Sequence, residues 1–508
     1  MMPLPLNLKA PYRAALAALS GVLYFLSFVG FEQWYLAWIC LVPLLFALDG
    51  ASPKAGLLLG WLFGTVALTG GFYWTAYTIR VFAFMPWTAA VAGCLLLSFA
   101  QATQFAAFGL AYAWLRTSSR RSPVILATAL FVASEFVSPQ LFPHYFGNSQ
   151  YLRLHIIQIA DIAGVLGVSL LLAFVNAAIF AIMRNAIDRR FPWHTAAAVP
   201  AVLIAVVFYG HLRIGSVEAL MEDAPKVRFG IAQANMGIYE KKRNPEKALR
   251  LNREMTQKLK TQGAEIVVWP ETAVQAPVLD IYADSLPHSV VGDIGTPLII
   301  GALQRNFSLP GSPLFNVAIL SDAAGRIEGS YRKQKLLMFG EYIPMGESFP
   351  GLYKKFPYIT RFRPGRSNDP IAFGDYLLSV NICYEGILPR LVRNMMKSGA
   401  HAIVNVTNDS WFGRTHEPMQ HLALAAFRAV EHRRWLVRST NTGISAFVDA
   451  TGRIIERSPL MEPATLIRDV PMMEGKTAYA TLGDFLGWLS LGAALSFAFS
   501  ALKVAKRK

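Results

Sequence analysis

Charged residues are scarce in this chain. Asp, Glu, Lys and Arg make up 16% of the 508 residues, whereas hydrophobic residues make up 54%. Soluble globular proteins carry about 25% charged residues. The deficit excludes an ordinary soluble protein and favours a chain with a large membrane-embedded part.

Cysteine is scarcer still, with three residues in the whole chain. Three thiols cannot form the disulfide framework of a small secreted domain. Cys40 and Cys94 fall within apolar runs, where a packed, unreactive thiol is expected, so Cys383 alone lies in a polar stretch. We expect no metal and no cofactor, because metal-ligand spacing is missing among the histidines of that stretch, which are His288, His401, His416, His421 and His432.

Eight apolar runs approach or exceed the roughly 20 residues that cross a bilayer. They cover residues 14–31, 34–48, 55–79, 87–115, 123–140, 158–183, 195–211 and 482–502. The first run is not expected to be a cleaved signal. It lacks a small-residue cleavage site, and further apolar runs follow it almost at once.

The distribution of basic residues predicts the orientation of these spans. If the spans alternate, thirteen Lys and Arg fall on one side and only Arg80 and Arg153 on the other. Because basic loops stay in the cytoplasm, both termini are predicted to be cytoplasmic and the polar stretch to lie outside. The predicted parts are a membrane domain, a soluble domain and a C-terminal span with a basic tail, at residues 1–211, 212–478 and 479–508.

The polar stretch is itself basic, with 33 Lys and Arg against 26 Asp and Glu. A basic domain tethered beside a bilayer is attracted to anionic lipid headgroups. Nucleic acid is the other common partner of a chain with a pI near 9.7, but the predicted location excludes it.

Within the polar stretch, short β-like runs alternate with amphipathic helical ones. The predicted strands are Val227–Gln233, Glu265–Trp269, Pro297–Leu303, Asn316–Leu320, Leu377–Cys383, Ala402–Thr407 and Trp435–Thr440. The predicted helices are Pro245–Thr261, Leu388–Lys397 and Glu417–Arg434, and a β-hairpin is expected over 316–332. This alternation predicts an α/β sandwich, which exposes functional groups at strand ends.

Three reactive residues fall at such strand ends. Cys383 ends one strand, Glu271 follows Trp269-Pro270, and Lys333 follows Tyr331-Arg332. A thiol becomes nucleophilic as a thiolate, which needs a base such as Glu271 or a cation such as Lys333. Lys333 could also stabilise an oxyanion. Taken singly, these could be a packed cysteine, a turn carboxylate and a solvated lysine; together they predict covalent acyl chemistry.

Longer motifs around the trio resemble those of the nitrilase superfamily and, within it, the bacterial apolipoprotein N-acyltransferase family. The motifs are Trp269-Pro270-Glu271, Tyr331-Arg332-Lys333, Phe339-Gly340-Glu341-Tyr342-Ile343-Pro344, Ile382-Cys383-Tyr384-Glu385, Asn408-Asp409-Ser410-Trp411-Phe412-Gly413 and Arg438-Ser439-Thr440-Asn441-Thr442-Gly443. Seven spans before these motifs and one after extend the resemblance over nearly the whole chain.

The resemblance implies an inserted αββα sandwich and a two-step acyl transfer without a cofactor. Cys383 would take a fatty acyl chain from a phospholipid as a thioester and pass it to the α-amine of a diacylglyceryl-cysteine apolipoprotein. Glu271 would be the general base, and Lys333 would stabilise the tetrahedral intermediates. The supporting residues would be Glu341 and Glu385, which orient the lysine and aid amine deprotonation, and Tyr384 and Trp411, which shape the pocket.

The resemblance also implies a monomer in a bacterial inner membrane, with the catalytic domain in the periplasm and the bilayer as a partner. Lys335 is expected to be only a neighbour of the catalytic lysine. The run 353–359 mixes aromatic and basic residues, so a lid or membrane-dipping arm and an ordinary surface loop both remain open.

The chain departs from the family pattern at three places. Met338 replaces a proline, His144 replaces a tryptophan, and 239–242 lacks an expected tryptophan. These departures bear on lipid handling and leave other functions open. One is a membrane-anchored amidase or nitrilase-type hydrolase, or a paralogue with another acceptor. A non-enzymatic scaffold or transporter is a further alternative, which the intact trio disfavours.

Overall fold

The computed structural model describes residues 8–118, 121–189, 191–279, 284–356 and 359–505. Predictions on Arg120, Arg190, residues 357–358 and the C-terminal residues 506–508 lie outside these ranges. Contacts divide the chain into two compact units. The apolar unit comprises residues 1–214, 415–423 and 482–508, and the sheet unit comprises 215–414 and 424–481.

The apolar unit is built from helices. Its N-terminal part contains α1 (Ala10–Leu26), α2 (Val42–Leu48), α3 (Pro53–Gly71), α4 (Trp74–Phe82), α5 (Trp87–Gln101), α6 (Thr103–Ser118), α7 (Pro123–Val137), α8 (Leu154–Ile157), α9 (Ala160–Ala163), α10 (Val165–Ile187) and α11 (Trp193–Asp223), whose last residues belong to the sheet unit. Proline at the first turn starts several of these helices, as at α3, because the missing N–H would have no intrahelical partner there.

Every predicted apolar run coincides with a helical stretch. Among the described residues, four stretches are long and apolar enough to cross a bilayer: Trp87–Ser118, Val165–Ile187, Trp193–Asp223 and Phe485–Lys503. The α3 and α4 helices are bent by 60° and would together make a fifth. The remaining apolar helices are shorter, so the number of eight spans stays a prediction.

Small residues and buried ions hold the apolar unit together. A Cβ on Gly60 of α3 would lie 2.1 Å from the Phe105 carbonyl oxygen of α6, so only glycine permits this approach. At one set of helix ends, buried Asp49 accepts a hydrogen bond from Arg184 Nε at 2.9 Å and lies 3.6 Å from Arg116. These contacts connect α2, α6 and α10.

The sheet unit contains thirteen strands, seven more helices in the described chain, and two sheets. The strands are β1 (Lys226–Gln233), β2 (Ile266–Val268), β3 (Val274–Leu279), β4 (Leu298–Arg305), β5 (Leu314–Ser321), β6 (Ile327–Arg332), β7 (Ile371–Phe373), β8 (Tyr376–Ile382), β9 (Ala402–Thr407), β10 (Leu436–Thr440), β11 (Ala446–Val448), β12 (Ile454–Arg457) and β13 (Ala464–Pro471). The helices are α12 (Ile238–Arg243), α13 (Pro245–Thr261), α14 (His288–Val291), α15 (Gly351–Lys355), α16 (Pro389–Met396), α17 (Glu417–His432) and α18 (Ala478–Leu482), and the chain continues into α19 (Phe485–Ala505). The first residues of α17 and the last residue of α18 belong to the apolar unit.

Each sheet has a parallel centre with antiparallel edges. The first runs β13-β1-β2-β4-β5-β6, with β3 also paired to β4, and the second runs β12-β11-β10-β9-β8-β7. Side chains from both sheets, including Phe229, Val268, Val380, Val404 and Val437, share one buried core. The predicted sandwich is therefore confirmed, with its core between two facing sheets.

The predicted elements match the observed ones within a few residues, including the hairpin of β5 and β6. Sequence reasoning missed β3, β7, β11, β12 and β13. These strands are short or carry exposed polar residues, as in the Ala464–Pro471 strand, so their apolar periodicity is weak.

Candidate active site

Cys383 lies at the first position after β8, in a conformation that a cysteine seldom adopts. Its φ is +55°, and its side chain is only 8% exposed. The chain then enters a short 3₁₀ turn, Cys383–Ile387. A left-handed residue at a strand end turns its side chain away from the strand direction and signals a site held by its surroundings.

A buried amide network supports this turn. Asn405 of β9 donates from Nδ2 to the Cys383 carbonyl oxygen at 3.2 Å and to Asn381 Oδ1 at 2.7 Å. Arg438 of β10 donates to Asn405 Oδ1 at 2.5 Å and to Asp409 Oδ2 at 3.0 Å. The arginine thus fixes the amide that fixes the Cys383 backbone.

Glu271 follows β2 and is 5% exposed. The preceding Trp269 anchors the segment, because its indole Nε1 donates to Thr256 Oγ1 at 2.8 Å. Gly301 lets the chain pass closely, since a Cβ there would lie 2.3 Å from the Pro270 carbonyl oxygen. The local sequence therefore places one carboxylate at a defined point of the strand end.

Lys333 follows β6 and lies between two carboxylates. Its Nζ is 3.2 Å from Glu271 Oε1 and 2.8 Å from Glu341 Oε1, and the residue is 2% exposed. Asn316 of β5 bridges the same carboxylates, donating from Nδ2 to Glu271 at 2.7 Å and to Glu341 at 3.0 Å. Lys335, by contrast, has an exposed side chain.

Burial and charge together set the proton affinities of these groups. Burial raises the pKa of Glu271, which the Lys333 ammonium opposes and the Glu341 carboxylate reinforces. Burial alone would lower the pKa of Lys333, but Glu271 and Glu341 hold it well above its usual value. Burial also raises the pKa of the Cys383 thiol; the charge of Glu271 adds to this effect and that of Lys333 opposes it. The resting site therefore pairs a neutral thiol with a carboxylate that readily takes a proton.

The Glu385 carboxylate binds mainly backbone N–H groups rather than the ammonium group of Lys333. Its carboxylate accepts from Tyr331 Oη at 2.9 Å, and from the backbone N–H groups of Gln334 at 2.7 Å, Lys335 at 2.9 Å and Ile382 at 2.9 Å. Burial raises the pKa of Glu385 to about 7. This carboxylate ties the segment after Lys333 to the turn of Cys383.

Of the other predicted site residues, Glu341 contacts Lys333, whereas Tyr384 and Trp411 are half-buried. Burial raises the pKa of Tyr384 to about 12. Trp411 lies in the short turn after β9. Their role in shaping a pocket stays a prediction.

The segment that contains Met338 and continues to Lys355 exposes large apolar side chains. Phe339 is 61% exposed, Met345 71% and Phe349 60%. The aromatic and basic run at 353–359 begins in α15, and its residues 357–358 lie outside the described ranges. Exposed apolar side chains close together are typical of surfaces that contact lipid or protein.

His144 lies in the apolar unit, where it is packed among aromatic rings. Its ring centroid is 5.5 Å from that of Phe72, 5.9 Å from Phe28 and 6.0 Å from Phe105. The effect of this departure from the family pattern on lipid handling stays a prediction.

Sequence models of two families match the chain. The family described as carbon-nitrogen hydrolase matches residues 228–479, and the one described as apolipoprotein N-acyltransferase N-terminal domain matches residues 20–178. With the two-sheet fold and the strand-end cluster, the first match defines the class of the sheet unit, which is a nitrilase-type domain.

Curated relatives cover nearly the whole chain. The protein of Geobacter metallireducens named apolipoprotein N-acyltransferase is 31% identical over 96% of this chain and 95% of its own length. The protein of that name from Bdellovibrio bacteriovorus is 30% identical, with coverages of 88% and 86%. A solved mutant of the Nesterenkonia AN1 amidase is 22% identical over 49% of this chain and 93% of the amidase, with a TM-score of 0.36. The chain belongs to the apolipoprotein N-acyltransferase family.

Proposed function

We propose that the chain transfers a fatty acyl chain from a phospholipid to the free α-amine of a diacylglyceryl-cysteine apolipoprotein, through a thioester on Cys383. The observation that carries the proposal is the buried cluster of Glu271, Lys333 and Glu341, in which the charges of Glu271 and Lys333 act on the pKa of the Cys383 thiol. It supplies a nucleophile, a proton acceptor and a cation in one buried place.

In the first step, Glu271 accepts the thiol proton while sulfur attacks the carbonyl carbon of the phospholipid ester. Lys333 stabilises the oxyanion that forms. The ester C–O bond then breaks, the lysophospholipid oxygen takes the proton from Glu271, and the acyl chain remains on sulfur as a thioester.

In the second step, the neutral α-amine of the apolipoprotein attacks the thioester carbon. Glu271 takes a proton from the attacking nitrogen, the C–S bond breaks, and this proton passes from Glu271 to the departing sulfur, which restores the thiol of Cys383. Glu341 keeps Lys333 in place through both steps, and Glu385 holds the two loops together. Tyr384 and Trp411 shape the acyl pocket.

Burial supports acyl transfer over hydrolysis. Cys383, Glu271 and Lys333 are each at most 8% exposed, and water excluded from such a site cannot intercept the thioester. The exposed side chains of Phe339, Met345 and Phe349 are suited to lipid contact. We propose that this segment, as far as residue 356, acts as a lid or as a membrane-dipping arm.

The proposal includes the topology of the chain. Eight spans, with boundaries at 1–211, 212–478 and 479–508, would place both termini in the cytoplasm and the catalytic domain in the periplasm of a bacterial inner membrane. The protein would act as a monomer, without metal or cofactor, on substrates that both reside in the bilayer.

A membrane-anchored amidase or nitrilase-type hydrolase is the second candidate, because the same cluster could deliver an acyl group to water. The two functions differ in the fate of a labelled acyl chain when an acceptor peptide is added. Transfer to the peptide amine supports the acyltransferase, and release as free acid supports the hydrolase.

The cellular test is depletion of the protein followed by mass spectrometry of lipoprotein N-termini. We expect diacylated lipoproteins with a free α-amine to accumulate, and a plasmid copy to restore the third acyl chain. Unchanged triacylation after depletion would contradict the proposed function.

A further inference from the structure

A second lysine is buried beside the candidate general base. Lys241 lies on the short helix α12 and is 2% exposed, whereas the next residue, Lys242, is exposed. Burial of an ammonium group is costly unless it has partners. The burial of Lys241 therefore cannot be explained as that of an ordinary solvated surface lysine.

The contacts of Lys241 all lie on the segment that carries Glu271. Its Nζ is 3.5 Å from the Glu271 carbonyl oxygen, 3.2 Å from the Thr272 carbonyl oxygen and 3.4 Å from Thr272 Oγ1. Among the described residues, no carboxylate oxygen lies within ion-pair distance of this ammonium. A buried cation bound to backbone carbonyls holds a loop rather than neutralising a partner.

The loop that it holds is strained. Thr272 has a φ of +50°, which is uncommon for a β-branched residue. The Thr272 carbonyl oxygen also accepts from Gln275 Nε2 at 2.6 Å. Lys241 thus holds the carbonyl groups of both Glu271 and Thr272, and Gln275 holds that of Thr272, so the backbone that carries the Glu271 side chain is fixed.

Lys241 also adds a positive charge near Glu271. The charged or titratable groups that face Glu271 are Lys333, Glu341, Cys383 and Lys241. Burial lowers the pKa of Lys241 to about 8, with the Glu271 charge acting in the opposite direction, so the ammonium form persists at neutral pH. Without it, Lys333 alone would face two carboxylates.

We propose that Lys241 is a positioning residue for the general base: its ammonium fixes the Glu271–Thr272 backbone and favours the ionised carboxylate. The inference rests on the proposed function only in taking Glu271 as the base that activates Cys383. The acyl donor and acceptor do not enter it.

The test is the pH dependence of Cys383 alkylation by iodoacetamide in the full chain, with Cys40→Ala and Cys94→Ala as background. The variants are Lys241→Met, which removes charge and donors, Lys241→Gln, which keeps a donor, and Lys241→Arg, which keeps both. Loss of the cation raises the pKa of Glu271. The acid limb of the alkylation profile, where the rate rises with pH, should therefore move up by about one pH unit in Lys241→Met and Lys241→Gln. The Arg variant and the exposed control Lys242→Met should keep the parental limb.

An acid limb at the parental pH in both neutral variants would overturn the inference, even if they were less stable. Either variant alone decides the matter if the other does not fold. Glu271→Gln separates this result from the proposed function. If the acid limb of the alkylation profile is still present in Glu271→Gln, Glu271 is not the base. If the limb is absent in Glu271→Gln but lies at the parental pH in Lys241→Gln, only the role of Lys241 is overturned.

Discussion

Each unit of the molecule contains a buried ion cluster, and the two clusters have opposite charge balance. In the apolar unit, the buried carboxylate of Asp49 lies between two arginines, Arg184 and Arg116. In the sheet unit, the ammonium of Lys333 lies between two buried carboxylates, those of Glu271 and Glu341. Both clusters are almost completely shielded from solvent.

The difference shows what distinguishes a reactive cluster from a structural one. Arg116 and Arg184 lie in the last turns of their helices. Arg13 Nη1 donates to the Asp49 carbonyl oxygen at 2.8 Å. Arginine stays charged, so that cluster has no proton to exchange. Around Lys333, an excess of carboxylates raises the pKa of Glu271 through burial and mutual repulsion, next to a thiol. In the proposed function, the second cluster is the one that moves a proton and supports covalent chemistry.

Removal of the nucleophile should have the largest effect. Cys383→Ala leaves the ion cluster intact and removes sulfur, so phospholipid-dependent transfer should fall by at least about 10⁴-fold. Transfer of a labelled acyl chain to an acceptor peptide measures this loss. The matched control, Cys94→Ala in the apolar unit, should remain active. Activity in Cys383→Ala near the parental level would show that sulfur is not the acyl carrier.

Loss of the cation should be nearly as severe. Lys333→Met leaves Glu271 and Glu341 without their cation, so acyl-enzyme formation should fall by roughly 10³-fold through loss of oxyanion stabilisation. Lys335→Met, on an exposed neighbour, should form the acyl-enzyme at the parental rate. The reverse pattern in the two variants would mean that Lys335 is the catalytic lysine.

The sequence predicts the trio because each member belongs to a local motif at a strand end. It does not predict Asn316, although this residue bridges both carboxylates. Asn316 reaches the site because β5 pairs with β6 in a register that places its carbonyl oxygen 2.9 Å from the Lys333 N–H. Strand register and the approach of α12 are tertiary properties, so the roles of Asn316 and Lys241 cannot be deduced from spacing.

The fold shows the same division between features that local sequence predicts and features that depend on tertiary contacts. Central strands such as β4 and β9 are mainly apolar, and their predicted bounds lie within two residues of the observed ones. The amide network of Asn405 and Arg438 is missed, because a buried Asn within a strand gives no local sign of its partner. The motif that contains Arg438 was the only signal of a special role there.

The structural cluster should affect stability without affecting chemistry. Asp49→Asn removes the buried carboxylate that Arg184 and Arg116 share, and breaking such a buried ion pair should cost about 3–5 kcal/mol. Activity per folded molecule should not change. The control is Glu347→Gln at an exposed ion pair with Arg361, where about 0–1 kcal/mol is expected. Thermal unfolding in detergent measures both, and equal losses would contradict the comparison.

The smallest expected effect is a pH dependence of stability from Glu385. Burial raises the folded-state pKa of Glu385 to about 7, against about 4.3 in an unfolded chain. The folded state then binds the extra proton, so stability is fully present below pH ~4.3 and falls as pH rises to ~7. Unfolding of Glu385→Gln should show a flatter profile over this interval. Parallel profiles for the two proteins would mean that the Glu385 carboxyl is not perturbed.

The central claim is that a fatty acyl chain resides on the sulfur of Cys383 between two lipids. The most direct measurement is peptide mass spectrometry after incubation with acyl-labelled phospholipid, followed by a chase with a diacylated peptide. The account predicts one acyl group on Cys383, removed by hydroxylamine and transferred to the peptide amine in the chase. Acyl label on another residue, or label on Cys383 that the peptide does not remove, would contradict it.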